Sequence, residues 1–256
     1  MKEQTRIDTS NQASNLGGTV CLHAQHLDIG YNHDTVVADI NFELHTGQSL
    51  ALVGTNGSGK STLLKTMVGL QSPIRGDLTA FGRKPGSAPR RVAYLSQFHV
   101  SGFVLPLRTI DVVRMGRFPI LGLLGRMSRE DGELVTAAMR TMGIEKLADS
   151  PLWSLSGGQQ QRTYIAQVLA HRADLIVLDE PTAGLDAAGH DVFSRAIRGE
   201  LARGATVVVA THDIEDASTC DVLMLLARRV VAVGAGPEVL TPDLLLKTFG
   251  IQIPHH

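Results

Sequence analysis

Three glycines, an asparagine and a lysine stand between an apolar run and a helix-like segment. The stretch is G-T-N-G-S-G-K-S at 54 to 61; Q-S-L-A-L-V precedes it and T-L-L-K-T-M-V-G-L follows it. Glycine in such a turn costs backbone entropy and packs nothing. Something must approach the backbone closely there. The spacing G-x-x-x-x-G-K-[ST], after a strand and before a helix, is that of a phosphate loop. On this reading the backbone N–H groups and the positive end of the following helix face phosphates. Lys60 reaches the β- and γ-phosphates, and Ser61 ligates Mg²⁺.

A second motif follows far along the chain. L-I-V-L-D-E at 175 to 180 is an apolar strand ending in adjacent carboxylates. Asp179 sits where a metal-holding aspartate is expected after such a loop, and Glu180 is placed to take a proton from an attacking water.

The coarse pattern supports an α/β fold. Strand-like segments cover 19 to 29, 36 to 44, 48 to 53, 77 to 81 and 92 to 96, with a helix at 60 to 70. From about 99 to 154 the β signal disappears. Residues 109 to 116 and 129 to 142 have helical periodicity, with Thr109 and Ser128 as N-cap candidates. Strands then resume at 174 to 178, 206 to 210 and 222 to 233, with a helix at 187 to 202 and short helices at 237 to 249. Continuous apolar strands separated by helices argue for a mostly parallel sheet buried on both faces.

Composition narrows the function classes. Lys and Arg number 24 against 25 Asp and Glu, for a net charge of -1. That balance gives no footprint for nucleic acid. The polar stretch 1 to 18 reads as a loose tail rather than a signal segment. The most apolar stretch, 118 to 125, is too short to span a bilayer. Cys21 and Cys220 have no metal spacing and read as reduced thiols. His23 and His26, three apart in a strand-like stretch, are expected on opposite faces and not as a metal pair. His255 and His256 end the sequence.

L-S-G-G-Q-Q-Q-R at 155 to 162 places a serine and two glycines ahead of a further helix, a second anion-binding terminus. Together with the phosphate loop and L-I-V-L-D-E, in that order, the chain resembles the ATP-binding-cassette ATPases from about 19 to 250. The resemblance implies a P-loop NTPase core with a mostly parallel sheet, an N-terminal antiparallel β subdomain and an inserted helical lobe. The core is expected at 19–98 and 155–250, the lobe at 99–154, and tails at 1–18 and 251–256.

The resemblance also assigns roles. ATP with Mg²⁺ is bound by Gly54, Thr55, Asn56, Gly57, Ser58, Gly59, Lys60, Ser61 and Thr62, with Tyr31 stacking on adenine. Thr55 departs from the proline usual at its position, where the side chain is not a ligand. Gln97 looks like the glutamine that contacts Mg²⁺ and the catalytic water and faces the membrane partner, and Asp179 like the aspartate that holds Mg²⁺ through water. Ser156, Gly157, Gly158 and Gln159 look like the signature that closes on another copy's γ-phosphate. Asp186, in A-G-L-D, looks like the acid of a loop that crosses a dimer interface, and His212 like the switch histidine. Two copies are implied head to tail, held at the cytoplasmic side of a membrane by permease subunits and served by a substrate receptor.

For cargo, T-I-D-V-V-R-M-G-R-F-P at 109 to 119 resembles importers of iron chelates and of metal ions. The stretch 225 to 242 and Q-Q-Q-R resemble the manganese and zinc group. D-E-P-T-A-G-L-D lacks the phenylalanine often found after D-E-P in that group. A metal-ion importer ATPase, an iron-siderophore importer ATPase and a non-membrane cassette protein all stay open.

Overall fold

The computed structural model describes residues 18–97, 106–122 and 125–250. Residues 1–17 of the expected N-terminal tail, part of the expected lobe at 99–105, and the tail 251–256 with His255 and His256 fall outside the described residues.

Strands β1 (Val20–Tyr31), β2 (Asp34–His45) and β4 (Arg75–Ala80) form an antiparallel sheet in the order β2-β1-β4. A larger sheet runs β5-β6-β7-β3-β8-β9, from β5 (Val92–Leu95), β6 (Leu175–Asp179), β7 (Thr206–Thr211), β3 (Ser49–Val53), β8 (Val222–Leu226) and β9 (Val230–Gly234). Its pairings are parallel except that of β8 with β9.

Strand parity explains the layers. Leu50 and Leu52 of β3, Leu175 and Val177 of β6, and Val208 and Ala210 of β7 share one core with α1 (Lys60–Met67) and the antiparallel sheet. The residues between them face the other way. Ile176, Leu178 and Val207 pack with α2 (Thr109–Met115), α4 (Arg129–Thr141), α5 (Gly157–His171) and α6 (Ala187–Ala202). Ala51, Val53, Leu223 and Leu225 pack under α7 (Ile214–Ser218), α8 (Gly236–Val239) and α9 (Pro242–Phe249). Successive side chains of a strand point to opposite faces, so each apolar run feeds two cores. Short helix α3 (Phe118–Leu121) lies between α2 and α4 in sequence.

Three expectations change in detail. Ser128 caps α4 with a full capping box, but Thr109 is not the cap of α2. It is the first helical residue and is fully buried. The N–H groups of Thr109 and Ile110 donate instead to the carbonyls of Ser150 and Ala148, at 3.0 Å each. A distant loop therefore satisfies donors that a cap would otherwise serve. The helix after the serine–glycine pair begins at Gly157, so the glycines form its first turn. At His26 the strand is bulged, with φ 46 and a register shift between Ala24 and Leu27. The parity count that set His23 against His26 does not carry across such a bulge.

Candidate functional site

In the larger sheet β6, β7 and β3 are neighbours, so the turns leaving their carboxyl ends meet at one edge. Ligands of open α/β sheets bind at that edge. The phosphate-loop sequence leaves β3, Asp179 and Glu180 end β6, His212 follows β7, and Gln97 follows β5.

Glycine is required in the loop for two separate reasons. A Cβ on Gly54 would stand 2.2 Å from the Leu226 carbonyl oxygen, so the β8–β9 hairpin presses on the loop's start. Gly59 adopts φ 109 as the N-cap of α1, and a Cβ there would lie 2.4 Å from a Val37 methyl. Part of the close approach expected from the sequence therefore comes from the protein itself. The loop fronts a cavity of about 390 Å³, lined from Asn56 to Thr62 and also by Val36, Gln97, Glu180 and Arg228.

Inside it the charges are tightly placed. The Lys60 ammonium donates to the carbonyls of Gly54 at 2.7 Å and Thr55 at 3.2 Å, and lies 3.8 Å from a Glu180 oxygen. Burial pulls its pKa down, against the pull of Glu180 and Asp179. Burial pushes the Asp179 carboxyl up, while a hydrogen bond from the Ser61 hydroxyl favours its anion. Asp179 Oδ1 and the Ser58 hydroxyl are buried and have no hydrogen-bond partner among the described residues.

Glu180 is held from several directions. Its backbone is left-handed, φ 48, and its N–H donates to the Ala210 carbonyl at 2.9 Å. That conformation costs a non-glycine residue about 1–2 kcal/mol. One carboxylate oxygen accepts from Gln97 Nε2 at 3.2 Å and lies 3.7 Å from His212 Nδ1. Glu180 is nearly buried, whereas His212 is exposed.

The remaining expected residues stand around this centre. Tyr31, at the end of β1, is exposed; its hydroxyl accepts from Thr62 at 3.4 Å. Ser156 and Gln159 cap α5 reciprocally, through Gln159 N–H to Ser156 Oγ and Ser156 N–H to Gln159 Oε1. A Cβ on Gly157 would meet nothing within 4 Å; on Gly158 it would meet only the Gly184 carbonyl, at 3.3 Å. Asp186 caps α6 by accepting from the Gly189 N–H at 2.8 Å. The structure thus brings Lys60, Ser61, Asp179, Glu180, Gln97 and His212 together. Ser156 to Gln159 and Asp186 do not line that cavity.

Two contributors escape sequence reading. Gln161 is buried on α5, and its amide donates to the Pro181 carbonyl at 2.7 Å, tying this helix to the turn after Glu180. Arg228 enters the cavity from the turn between β8 and β9. One glutamine of three and one arginine of two carry no pattern that separates them from their neighbours.

The chain is similar over most of its length to known proteins. The family model described as ABC transporter matches residues 37–183. The manganese transport system ATP-binding protein MntB of Bacillus subtilis (strain 168) is 35% identical over 88% of this chain and 90% of that protein. The hemin import ATP-binding protein HmuV of Thermobifida fusca (strain YX) is 36% identical over 92% of this chain and 84% of that protein. A solved ABC transporter in an inward-facing conformation superposes with TM-score 0.78 at 30% identity, covering 91% of this chain and 90% of that one. A phosphate loop backed by a carboxylate pair at the sheet edge, on a chain matched over most of its length, makes this protein an ATP-binding ATPase of the ABC transporter family.

Proposed function

We propose that this chain powers uptake of a metal ion, of the manganese or zinc class, by hydrolysing ATP on a partner permease. The observation that carries the chemistry is the grouping of Lys60, Asp179, Glu180, Gln97 and His212 at the edge formed by β3, β6 and β7.

The nucleotide phosphates lie in the loop, and Lys60 exchanges the Gly54 and Thr55 carbonyls for β- and γ-phosphate oxygens. Tyr31 stacks on adenine. Mg²⁺ fits the donor set: hard oxygens from Ser61 and Asp179, with Asp179 Oδ1 lacking a partner among the described residues. When bound there, the ion would neutralise phosphate charge. Glu180 takes a proton from water as that water attacks the γ-phosphorus. The bond to the β-phosphate oxygen breaks, giving ADP and phosphate. Gln97 and His212 hold the Glu180 carboxylate and the water in line.

Two copies associate head to tail. The positive end of α5, at Ser156, Gly157, Gly158 and Gln159, supplies the second half of each site to the neighbour's γ-phosphate. Asp186 lies at the crossing between copies. Hydrolysis removes the charge that both helix ends share and loosens the dimer, a nucleotide switch between two assemblies.

Residues 19–98 and 155–250 act as the catalytic core and 99–154 as the lobe that meets the permease. Phe118 and Trp153, 54% and 62% exposed, give that region an apolar surface that supports this division. Among the described residues no helix is long and apolar enough to cross a membrane. The transport-system relatives support placing the chain at the cytoplasmic side of the membrane, held there by its permease, with a receptor supplying cargo.

The manganese-transport relative and the stretch 225 to 242 support a metal ion as cargo. The hemin-import relative supports a second reading, an iron-chelate importer. Uptake of labelled manganese, zinc and hemin, measured in cells lacking this chain and in cells complemented with it, separates them. Complementation should restore manganese or zinc uptake. Restoration of hemin alone selects the second reading, and no change in any of the three sinks both.

A further inference from the structure

Among the described residues two cations line the cavity before the phosphate loop, and only Lys60 belongs to the loop. The other, Arg228, sits on the tight turn between β8 and β9. That turn is braced against the loop. The Arg228 N–H donates to the Ser58 carbonyl at 3.2 Å, and the Leu226 carbonyl abuts Gly54. Arg228 has φ 55, a left-handed conformation that glycine or asparagine adopts at lower cost. Its guanidinium makes no hydrogen bond or ion pair among the described residues, whereas Arg91, Arg108, Arg117 and Arg203 each pair with a carboxylate. The neighbouring Arg229 is also exposed but does not line the cavity.

A cation fixed at a strained position, beside a phosphate-binding loop and without a carboxylate partner, is suited to an anionic ligand. We propose that Arg228 is a second phosphate-binding residue, contacting the nucleotide's polyphosphate from the hairpin side. This rests on the reading that the phosphates lie in the loop. A guanidinium offers a planar fork of donors to phosphate oxygens, where Lys60 offers a point charge. The hairpin is braced on the loop itself, so the contact is the same before and after hydrolysis. Arg228 therefore strengthens ATP and ADP binding alike and lowers KM more than it raises kcat.

The test is calorimetric binding of ATP and ADP to the full chain across a salt series. The proteins are the parent, Arg228→Ala, Arg228→Lys, Arg229→Ala and Lys60→Ala. Alanine keeps a Cβ, so the backbone strain at 228 is unchanged. Arg228→Ala should bind both nucleotides about tenfold more weakly, the size of one charge-assisted hydrogen bond in a partly solvated site. Its affinity should also depend less steeply on salt than the parent's. Arg228→Lys keeps the charge but not the fork, so it should restore the salt dependence and recover only part of the loss, and Arg229→Ala should match the parent. Parent-like binding by Arg228→Ala overturns the inference. So does a loss with the parent's salt dependence, or an equal loss in Arg229→Ala. Parent-like binding by Lys60→Ala defeats the phosphate-loop reading itself and takes this inference with it.

Discussion

Arg117 is nearly buried, and its side chain clasps α5 to the helices before it. Its Nε donates to Asp131 Oδ1 at 2.9 Å, and its Nη1 donates to the carbonyls of Ala170 at 3.0 Å and His171 at 2.8 Å. Asp131 Oδ2 in turn accepts from the Ser128 N–H and hydroxyl at the start of α4. Arg117→Ala removes three hydrogen bonds and leaves a buried carboxylate without its cation. Breaking a buried pair from one side costs about 3–5 kcal/mol. For a chain of this size that lowers Tm by roughly 10 °C. Bonds from the Ser128 N–H and hydroxyl, with the Arg117 guanidinium beside them, hold the Asp131 carboxyl below its ordinary pKa. A carboxyl depressed in the folded state stabilises at pH above its unfolded value, about 4, and loses that contribution as pH falls through the folded value. The gap between parent and Arg117→Ala should thus be full at neutral pH and narrow as pH drops below about 4, without closing, because the bonds to the Ala170 and His171 carbonyls do not titrate. Thermal denaturation of both proteins from pH 7 to pH 3 measures it. A shift under about 2 °C at pH 7, or a gap that does not narrow on acidification, refutes the clasp.

Two further outcomes concern partners. Cysteines introduced at Ser156 and Asn56 should crosslink between chains when ATP is present, because α5 serves the neighbour's nucleotide; crosslinks formed only within one chain would rule out the head-to-tail arrangement. Phe118→Glu should weaken permease binding and transport while the isolated chain still binds ATP, and hydrogen exchange should show added protection around residues 106 to 120 on assembly. Unchanged exchange there would place the permease contact elsewhere.

Much of the fold was legible because strand parity and turn chemistry are local. The apolar runs at 48 to 53, 174 to 178 and 206 to 210 are buried on both faces and became β3, β6 and β7. The Ser128 capping box is likewise written in four consecutive residues. Misreadings arose where distant parts of the chain replaced a local device. Thr109 looked like a cap, but Ser150 and Ala148 supply the acceptors for the first N–H groups of α2. The bulge at His26 spoiled a parity count that a straight strand would have supported. At the site, order and spacing pointed to the loop, the carboxylate pair and the signature. They could not reveal Gln161 reaching Pro181, or Arg228 entering the cavity, since both depend on how the sheet folds back on itself. Nor did the glycine pattern tell which glycines make room for ligand and which make room for Leu226 and Val37.

Hydrolysis by Glu180→Gln tests the account's central claim most directly. The substitution keeps the side chain's size and its place beside Gln97 and His212 but removes the base. ATP binding should stay within the parent's range while the hydrolysis rate falls about 10²–10⁴-fold, the contribution of a positioned general base. The variant should also accumulate as an ATP-bound dimer. Hydrolysis at the parent rate, with ATP still bound at the loop, would mean that another group activates the water and that Glu180 is not the base.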